Sequence, residues 1–328
     1  MSVRCRAIGA FVGLATWAYA QPTPTIRVPV QLVNVPALVF SRDSRVMTNL
    51  QLSNFRVTDN GLPQSIRMEP VSGRVSLAVV IQVNRDVRKY VPFIAKVGSA
   101  LEALLAGESG EAAVIAYSDE VSVIKPFGAG DIASACQTLS VKGRSARMID
   151  AGLRAVQLLR ERPAAENRVL LFIGQPMDSG SESKLQFLRQ AVEKENVSVF
   201  ALSLPLLGKA FVSDTFALHG VSQGERGGFR ASADAAKLIA VLNRKAETAG
   251  GTDLWTALTA ATGGMQLHFR TQRQLEDGIG AVGFQARSVY LLSFYAGSDD
   301  PGYHSVKVHV DVPGSKVYSR PGYWSGSY

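Results

Sequence analysis

The side chains that could do chemistry are few and dispersed. Histidine occurs four times, as His219, His268, His304 and His309. No two of them stand at the i, i+4 spacing of a His-Glu-x-x-His zinc helix. His268 and His309 fall on the polar side of alternating strands, which predicts solvated rings, while His304 falls in a turn and His219 in a Gly-rich stretch. There is no Gly-x-Ser-x-Gly elbow to expose a nucleophile. Ser179-Gly180-Ser181-Glu182-Ser183-Lys184 has a Gly and a Lys, but not at the spacing of a phosphate-cradling loop. It reads as a polar loop with Ser181 near the start of the next helix. Asp299-Asp300 precede Pro301-Gly302, the chemistry of a turn more than of acid–base catalysis or Ca²⁺ binding. Cys136 ends the helix-like stretch Ile132 to Cys136, which predicts a buried, inert thiol. Arg85, Arg88 and Lys89 are the nearest approach to a basic block and read as a solvated helix start, so no nucleic-acid partner is expected. The repertoire predicts that the protein is not an enzyme.

The elements around these residues change character along the chain. Ile26, Val28, Val30 and Leu32 alternate with polar residues as in a half-buried strand, and Pro29 and Pro36 suggest an edge or a strand end. Phe55 to Thr58 and Ser65 to Met68 flank Asp59-Asn60-Gly61, a strong hairpin signal because Asn and Gly tolerate positive φ. From Val75 the pattern switches. Leu77 to Ile81 is continuously apolar, as in a parallel strand covered on both faces. Helical spacing follows from Val91 to Leu105. Strands follow at Ala112–Tyr117 and Val121–Ile124, joined tightly through Ser118-Asp119-Glu120. A helix at 149–159, a strand at 169–173, a helix at 185–192 and a strand at 197–202 continue the alternation. Residues 208–230 break it with Gly220, Gly224, Gly227 and Gly228, and an amphipathic helix is expected near 235–242. Helix, strand and helix resume at 254–261, 265–269 and from Gln272. After Arg287 the chain is β again, with Val289–Tyr295, the alternating Val306, Val308, Val310 and Val312, and room for one more strand in the tail. The aromatics Tyr318, Tyr323, Trp324 and Tyr328 are read as covering this β part.

This order predicts a Rossmann-like α/β domain with a central, mainly parallel sheet flanked by helices. A small β-sandwich-like domain built from N- and C-terminal strands should accompany it. The expected division is a signal peptide at 1–20, a β segment at 21–72, the α/β domain at 73–287 with an insertion at 208–250, and a β segment at 288–328 that packs against 21–72.

Asn54 to Gln64, Gly110 to Phe127, Leu258 to Phe269 with its Thr262-Gly263-Gly264, Tyr290 to Tyr295 and Arg320-Pro321-Gly322-Tyr323 recur together in one family. On these stretches the mature chain resembles the bacterial von Willebrand factor A (vWA)-related proteins common in acidobacteria. The resemblance implies a ligand site at the carboxyl ends of the strands, where an Asp-x-Ser-x-Ser loop, a Thr and a second Asp hold Mg²⁺. At those positions this chain reads Gln82-Val83-Asn84-Arg85-Asp86, then Ala146 or, shifted by one, Ser145, then Gln175. Two of the loop's three ligands are amides, and Arg85 brings a cation beside the site, which opposes a divalent ion. The expectation is a degenerate metal-ion-dependent adhesion site without tightly bound metal. Asp86 with Ser145 would be the weak remnant for Mg²⁺ or Ca²⁺, and no other cofactor is expected. Gln82, Asn84, Arg85, Asp86, Ser145 and Gln175 are then the candidate partner-binding residues, on loops 84–88, 143–147 and 175–179.

Export is the remaining expectation. Arg4 and Arg6, the apolar stretch Ala7 to Trp17 and the small-residue site Ala18-Tyr19-Ala20 form a signal peptide, with a mature start near Gln21. Cleavage leaves 33 Lys and Arg against 27 acids, a charge of +6, and Cys136 as the one cysteine. No apolar run in the remainder is long enough to span a bilayer. With 328 residues, 46% hydrophobic and 19% charged, the chain is globular in composition. The expected function is a periplasmic or extracellular, cell-surface module that binds a protein partner. The alternative is a structural subunit of an envelope or surface assembly.

Overall fold

A computed structural model describes residues 31–43, 45–69, 74–96, 98–102, 110–128, 131–163, 166–204, 254–288, 290–297 and 301–325. The expected signal peptide, most of the strand at 26–32, the 208–250 insertion with its helix, Asp299-Asp300, His219 and Tyr328 lie outside these residues.

The central sheet has strands β5 (Val75–Gln82), β6 (Glu111–Tyr117), β7 (Val121–Lys125), β8 (Asn167–Gly174), β9 (Ser198–Ser203) and β10 (Gln266–His268), in the order β10-β9-β8-β5-β6-β7. All neighbours are parallel except β6 and β7, which form an antiparallel hairpin. Every residue of β5 is buried. Its side chains alternate between two cores, which is why its sequence is a continuous apolar run. Leu77, Val79 and Ile81 face a cluster with α1 (Val91–Lys96), α3 (Ile132–Gln137) and α7 (Gln272–Ser288). Ala78 and Val80 face a cluster with α4 (Met148–Arg160), α5 (Leu185–Lys194) and α6 (Leu254–Thr262). A short α2 (Gly98–Leu101) packs on α3 so closely that a Cβ at Gly98 would lie 2.6 Å from the Ala133 Cα. Helices thus cover both faces, the expected arrangement.

Eight further strands form two four-stranded antiparallel sheets. One has the order β13 (Lys316–Ser319), β1 (Leu32–Phe40), β11 (Tyr290–Tyr295), β4 (Arg67–Glu69). The other runs β14 (Gly322–Ser325), β12 (Gly302–Val310), β2 (Phe55–Asp59), β3 (Leu62–Pro63). They share one core, with Val33, Val35, Val57, Leu292, Phe294 and Tyr323 among its members. The expected sandwich of N- and C-terminal strands is therefore present. β1 serves two cores. Val33, Val35, Ala37 and Val39 enter the sandwich, whereas Leu38 and Phe40 join the α/β core. Pro36 is tolerated in this inner strand because β13 pairs only with residues 37–40 and leaves that side of Pro36 open.

Some expectations need correction. The Asn60-Gly61 turn forms with φ of 47° and 84°, but β2 returns into Leu62–Pro63. The expected partner near Ser65–Met68 is β4, which crosses to the opposite sheet and pairs with β11. The tail holds two strands, not one. His304 is in β12, not a turn, and is 3% exposed. Tyr323 does not cover the sandwich but lies inside it. There Tyr323 donates to Asp59 Oδ2 at 2.7 Å, and His304 Nδ1 lies 3.0 Å from Asp59 Oδ1. Cys136 is buried in α3, and burial pushes its thiol up to about 12. His268 and His309 are exposed.

Arg320 clamps the sandwich to the α/β unit. It is 2% exposed and donates to Asn34 O (3.2 Å), Asn196 Oδ1 (2.7 Å), Glu193 O (3.1 Å) and Gly322 O (2.9 Å). Burial lowers its guanidinium to about 10. The Thr262-Gly263-Gly264 stretch lies at the same junction. A Cβ on Gly264 would sit 1.8 Å from Val199 O, and one on Gly263 would sit 2.9 Å from Arg320 N. Thr262 Oγ1 accepts from Val199 N at 2.9 Å, satisfying a donor near the start of β9.

Candidate functional site

From β5 the chain passes on one side to β6 and later returns across β5 to β8, so the strand order reverses between β5 and β8. In open α/β sheets the crevice beyond the carboxyl ends at this reversal is the usual ligand position. Gln82 ends β5, and Gln175 directly follows β8. Gln82, Asn84 and Gln175 are buried there, with exposures of 0%, 0% and 2%.

Their polar atoms form a ladder. Gln82 Oε1 accepts from the Gln175 backbone N–H at 2.6 Å, and Gln82 Nε2 donates to Asn84 Oδ1 at 2.9 Å. Asn84 Nδ2 donates to Asp86 Oδ2 and to Arg144 O, both at 3.0 Å. The ladder runs from the sheet floor to the surface, where Asp86 and Arg85 are exposed. Gly174 makes room for it, since a Cβ there would lie 2.6 Å from both Cβ and Oε1 of Gln82. Tyr117 stands beside Gly174, fully buried, and its hydroxyl has no hydrogen-bond partner among the described residues. Burial, and secondarily the charge of Asp178, raise its pKa far above the usual phenol range.

Ser145 faces elsewhere. Its hydroxyl donates to Asp119 Oδ1, which also accepts from the backbone N–H groups of Ser145 (2.7 Å) and Arg144 (3.0 Å). These bonds, that of the Ser145 hydroxyl foremost, hold the Asp119 carboxyl down at about 2. Asp86 and Ser145, expected together as a remnant ion site, are each engaged by a different partner. Ala146 is buried, and its loop is pinned on the other side by Ser179, through Ala146 N to Ser179 Oγ at 2.9 Å and Ser179 N to Ala146 O at 3.0 Å. Ser181 lies four residues before α5, as expected near its start, but its hydroxyl serves α4. It accepts from Asp150 N at 3.1 Å, while Asp178 accepts from Ile149 N at 2.9 Å, so the 175–183 loop caps α4. Arg147, Asp150 and Glu182 lock the far side, with Arg147 Nη2 2.8 Å from both carboxylates.

The backbone ties loops 83–90 and 140–147 into one surface. Arg85 N donates to Gly143 O at 3.3 Å, and Lys142 N donates to Val83 O at 2.8 Å. Arg144 and Ser179 lie on the expected loops 143–147 and 175–179 without having been singled out, whereas Asp119 and Lys142 lie outside them. The position of Asp119 in the turn between two predicted strands is the signal that could have drawn notice. No group of three His, Cys, Asp or Glu side chains suited to a metal occurs among the described residues. No helix among them is long and apolar enough to cross a membrane.

The class these features define is an open α/β sheet, helix-covered on both faces, with a plugged switch-point crevice and an antiparallel sandwich clamped alongside. Solved structures similar to it include a von Willebrand factor type A protein from Catenulispora acidiphila, with TM-score 0.45 and 12% identity over 93% of this chain and 65% of that one. An aerotolerance-related membrane protein from Bacteroides fragilis matches with TM-score 0.39 and 13% identity, over 64% and 98%. The SpRpn10 VWA domain matches with TM-score 0.32 and 12% identity, over 40% and 76%. No family model and no curated protein matches the sequence.

Proposed function

We propose that this is an exported, non-enzymatic protein-interaction module of the vWA type, whose switch-point crevice has lost tight metal binding. The amide ladder supports this reading most directly. Mg²⁺ takes oxygen ligands in a near-octahedral shell. Here the two amide oxygens that replace loop ligands already accept N–H bonds, and the remaining carboxylate, Asp86, is engaged by Asn84. The ladder stands in for the ion as the element that fixes the loops, leaving their outer surface for a partner. Loops held on a rigid sheet suit recognition. The alternative, an assembly subunit joined through sandwich strands, is disfavoured by the edge strands β3, β4, β13 and β14, which are only two to four residues long.

Two measurements test the proposal. Calorimetric titration with Mg²⁺, Mn²⁺ and Ca²⁺ is expected to give no heat of binding at millimolar ion; binding that Asp86→Ala abolishes would overturn the closed-crevice reading. A photo-crosslinking amino acid at Arg88 or Met177, introduced in the native host, is expected to yield a discrete protein adduct, and one at Glu161 none. Adducts from neither loop position would refute the module reading.

A further inference from the structure

We propose that the rim of the plugged crevice docks an acidic polypeptide segment, carboxylate to guanidinium, without a bridging metal. This rests on the interaction-module reading and specifies the partner's chemistry.

Arg85, Arg88, Lys142 and Arg144 are all exposed, and none makes an ion pair among the described residues. The backbone brings them together from two loops. Arg85 is bonded to Gly143, which lies between Lys142 and Arg144, and Arg88 N donates to Arg85 O at 3.3 Å. Arg144 O accepts from Asn84, so the second loop is fastened to the ladder itself. The cations therefore project from a frame that buried amides, Asp119 and Ser179 already hold in place. Preorganisation of this kind lowers the ordering cost of binding. By contrast Arg147, on the same loop, is consumed by Asp150 and Glu182. Guanidinium forks match carboxylates in a bidentate manner. The rim is not a phosphate track. Exposed Asp86, Asp119 and Glu120 interrupt it and would repel a continuous polyanion, whereas a short segment with spaced carboxylates can meet the arginines between them.

The test uses the full mature chain and a fluorescein-labelled octapeptide in which Glu or Asp alternates with Ser, read by anisotropy in low salt with EDTA. The expected result is saturable binding that falls steeply with added salt and is absent for the Gln/Asn peptide of the same length. R85E/R144E should weaken it at least tenfold, and the neutral R85Q/R144Q several-fold. K194E/K307E, which makes the same net-charge change at exposed sites elsewhere, should leave it within twofold; melting curves confirm that each variant is folded. The proposal is overturned if the chain does not bind the peptide, if R85E/R144E binds it unchanged, if EDTA abolishes binding, or if a DNA oligomer of equal charge binds more tightly. If the peptide fails while a crosslinker at Met177 still gives a discrete adduct, the acidic-partner inference falls and the module reading stands.

Discussion

Replacing Gln82 by leucine keeps the size of a buried side chain and removes its polar atoms. Two groups then lose a bond, the Gln175 N–H, held at 2.6 Å, and Asn84 Oδ1, held at 2.9 Å. Each orphaned buried polar group costs about 1–3 kcal/mol. Burying apolar carbon where an amide stood returns about 1–2 kcal/mol. Taking central values, about 4 kcal/mol lost and about 1.5 kcal/mol returned, the net expectation is a loss of about 2–3 kcal/mol, or a drop of about 4–6 °C in Tm at roughly 2 °C per kcal/mol. Gln82→Glu sharpens the argument. Its carboxyl can still accept from Gln175 N–H, and when protonated it can donate to Asn84 as the amide did. Burial should raise its folded pKa above the unfolded value near 4.3. Stability from a raised pKa is fully present below the unfolded pKa and is lost as pH rises through the folded one. Gln82→Glu should therefore match the parent at pH 4 and fall well below it at pH 7.5. Urea unfolding of parent and both variants at the two pH values provides the assay. A Gln82→Leu loss under about 1 kcal/mol, or a Gln82→Glu deficit equal at both pH values, would refute the ladder as the element that holds the crevice.

Asp119 gives the opposite pH sign. Its folded pKa of about 2 lies below the usual 3.8, so its contribution is present above pH 4 and fades as pH falls toward 2. Asp119→Asn should remove that part of the acid slope, read as the difference in urea midpoint between parent and variant across pH 2–5. Arg320→Met should cost more than about 3 kcal/mol, because acceptors on Asn34, Asn196, Glu193 and Gly322 are left in the interior. Calorimetry should show the sandwich and the α/β unit losing their common transition; one unchanged transition would contradict the clamp. Gly264→Ala forces a methyl onto backbone at Val199 O and should prevent folded expression, whereas Gly61→Ala, with open space around it, should cost only the strain of its positive φ. Soluble yield and circular dichroism distinguish them.

The candidate site was partly legible. Gln82, Asn84 and Asp86 stand two apart where β5 runs into its following loop, and their amide and carboxylate types are visible in the chain. That Gln82 would accept from a backbone group 93 residues away, or that Ser145 would turn to Asp119, 26 residues earlier, depends on which strands become neighbours. No local pattern records that.

The sequence by itself determined the layered architecture. Apolar runs such as Leu77 to Ile81 and helical spacing such as Val91 to Leu101 are properties of neighbouring residues, and burial on two faces or one is written in their period. Tertiary structure decided the rest. It sent β4 to the sheet opposite β3, buried His304 against Asp59 across 245 residues, and closed Arg320 over carbonyls from both halves of the molecule. Each of these joins polar groups distant in sequence. A polar residue's partner is set by where the folded chain brings a complementary atom, not by the residues beside it.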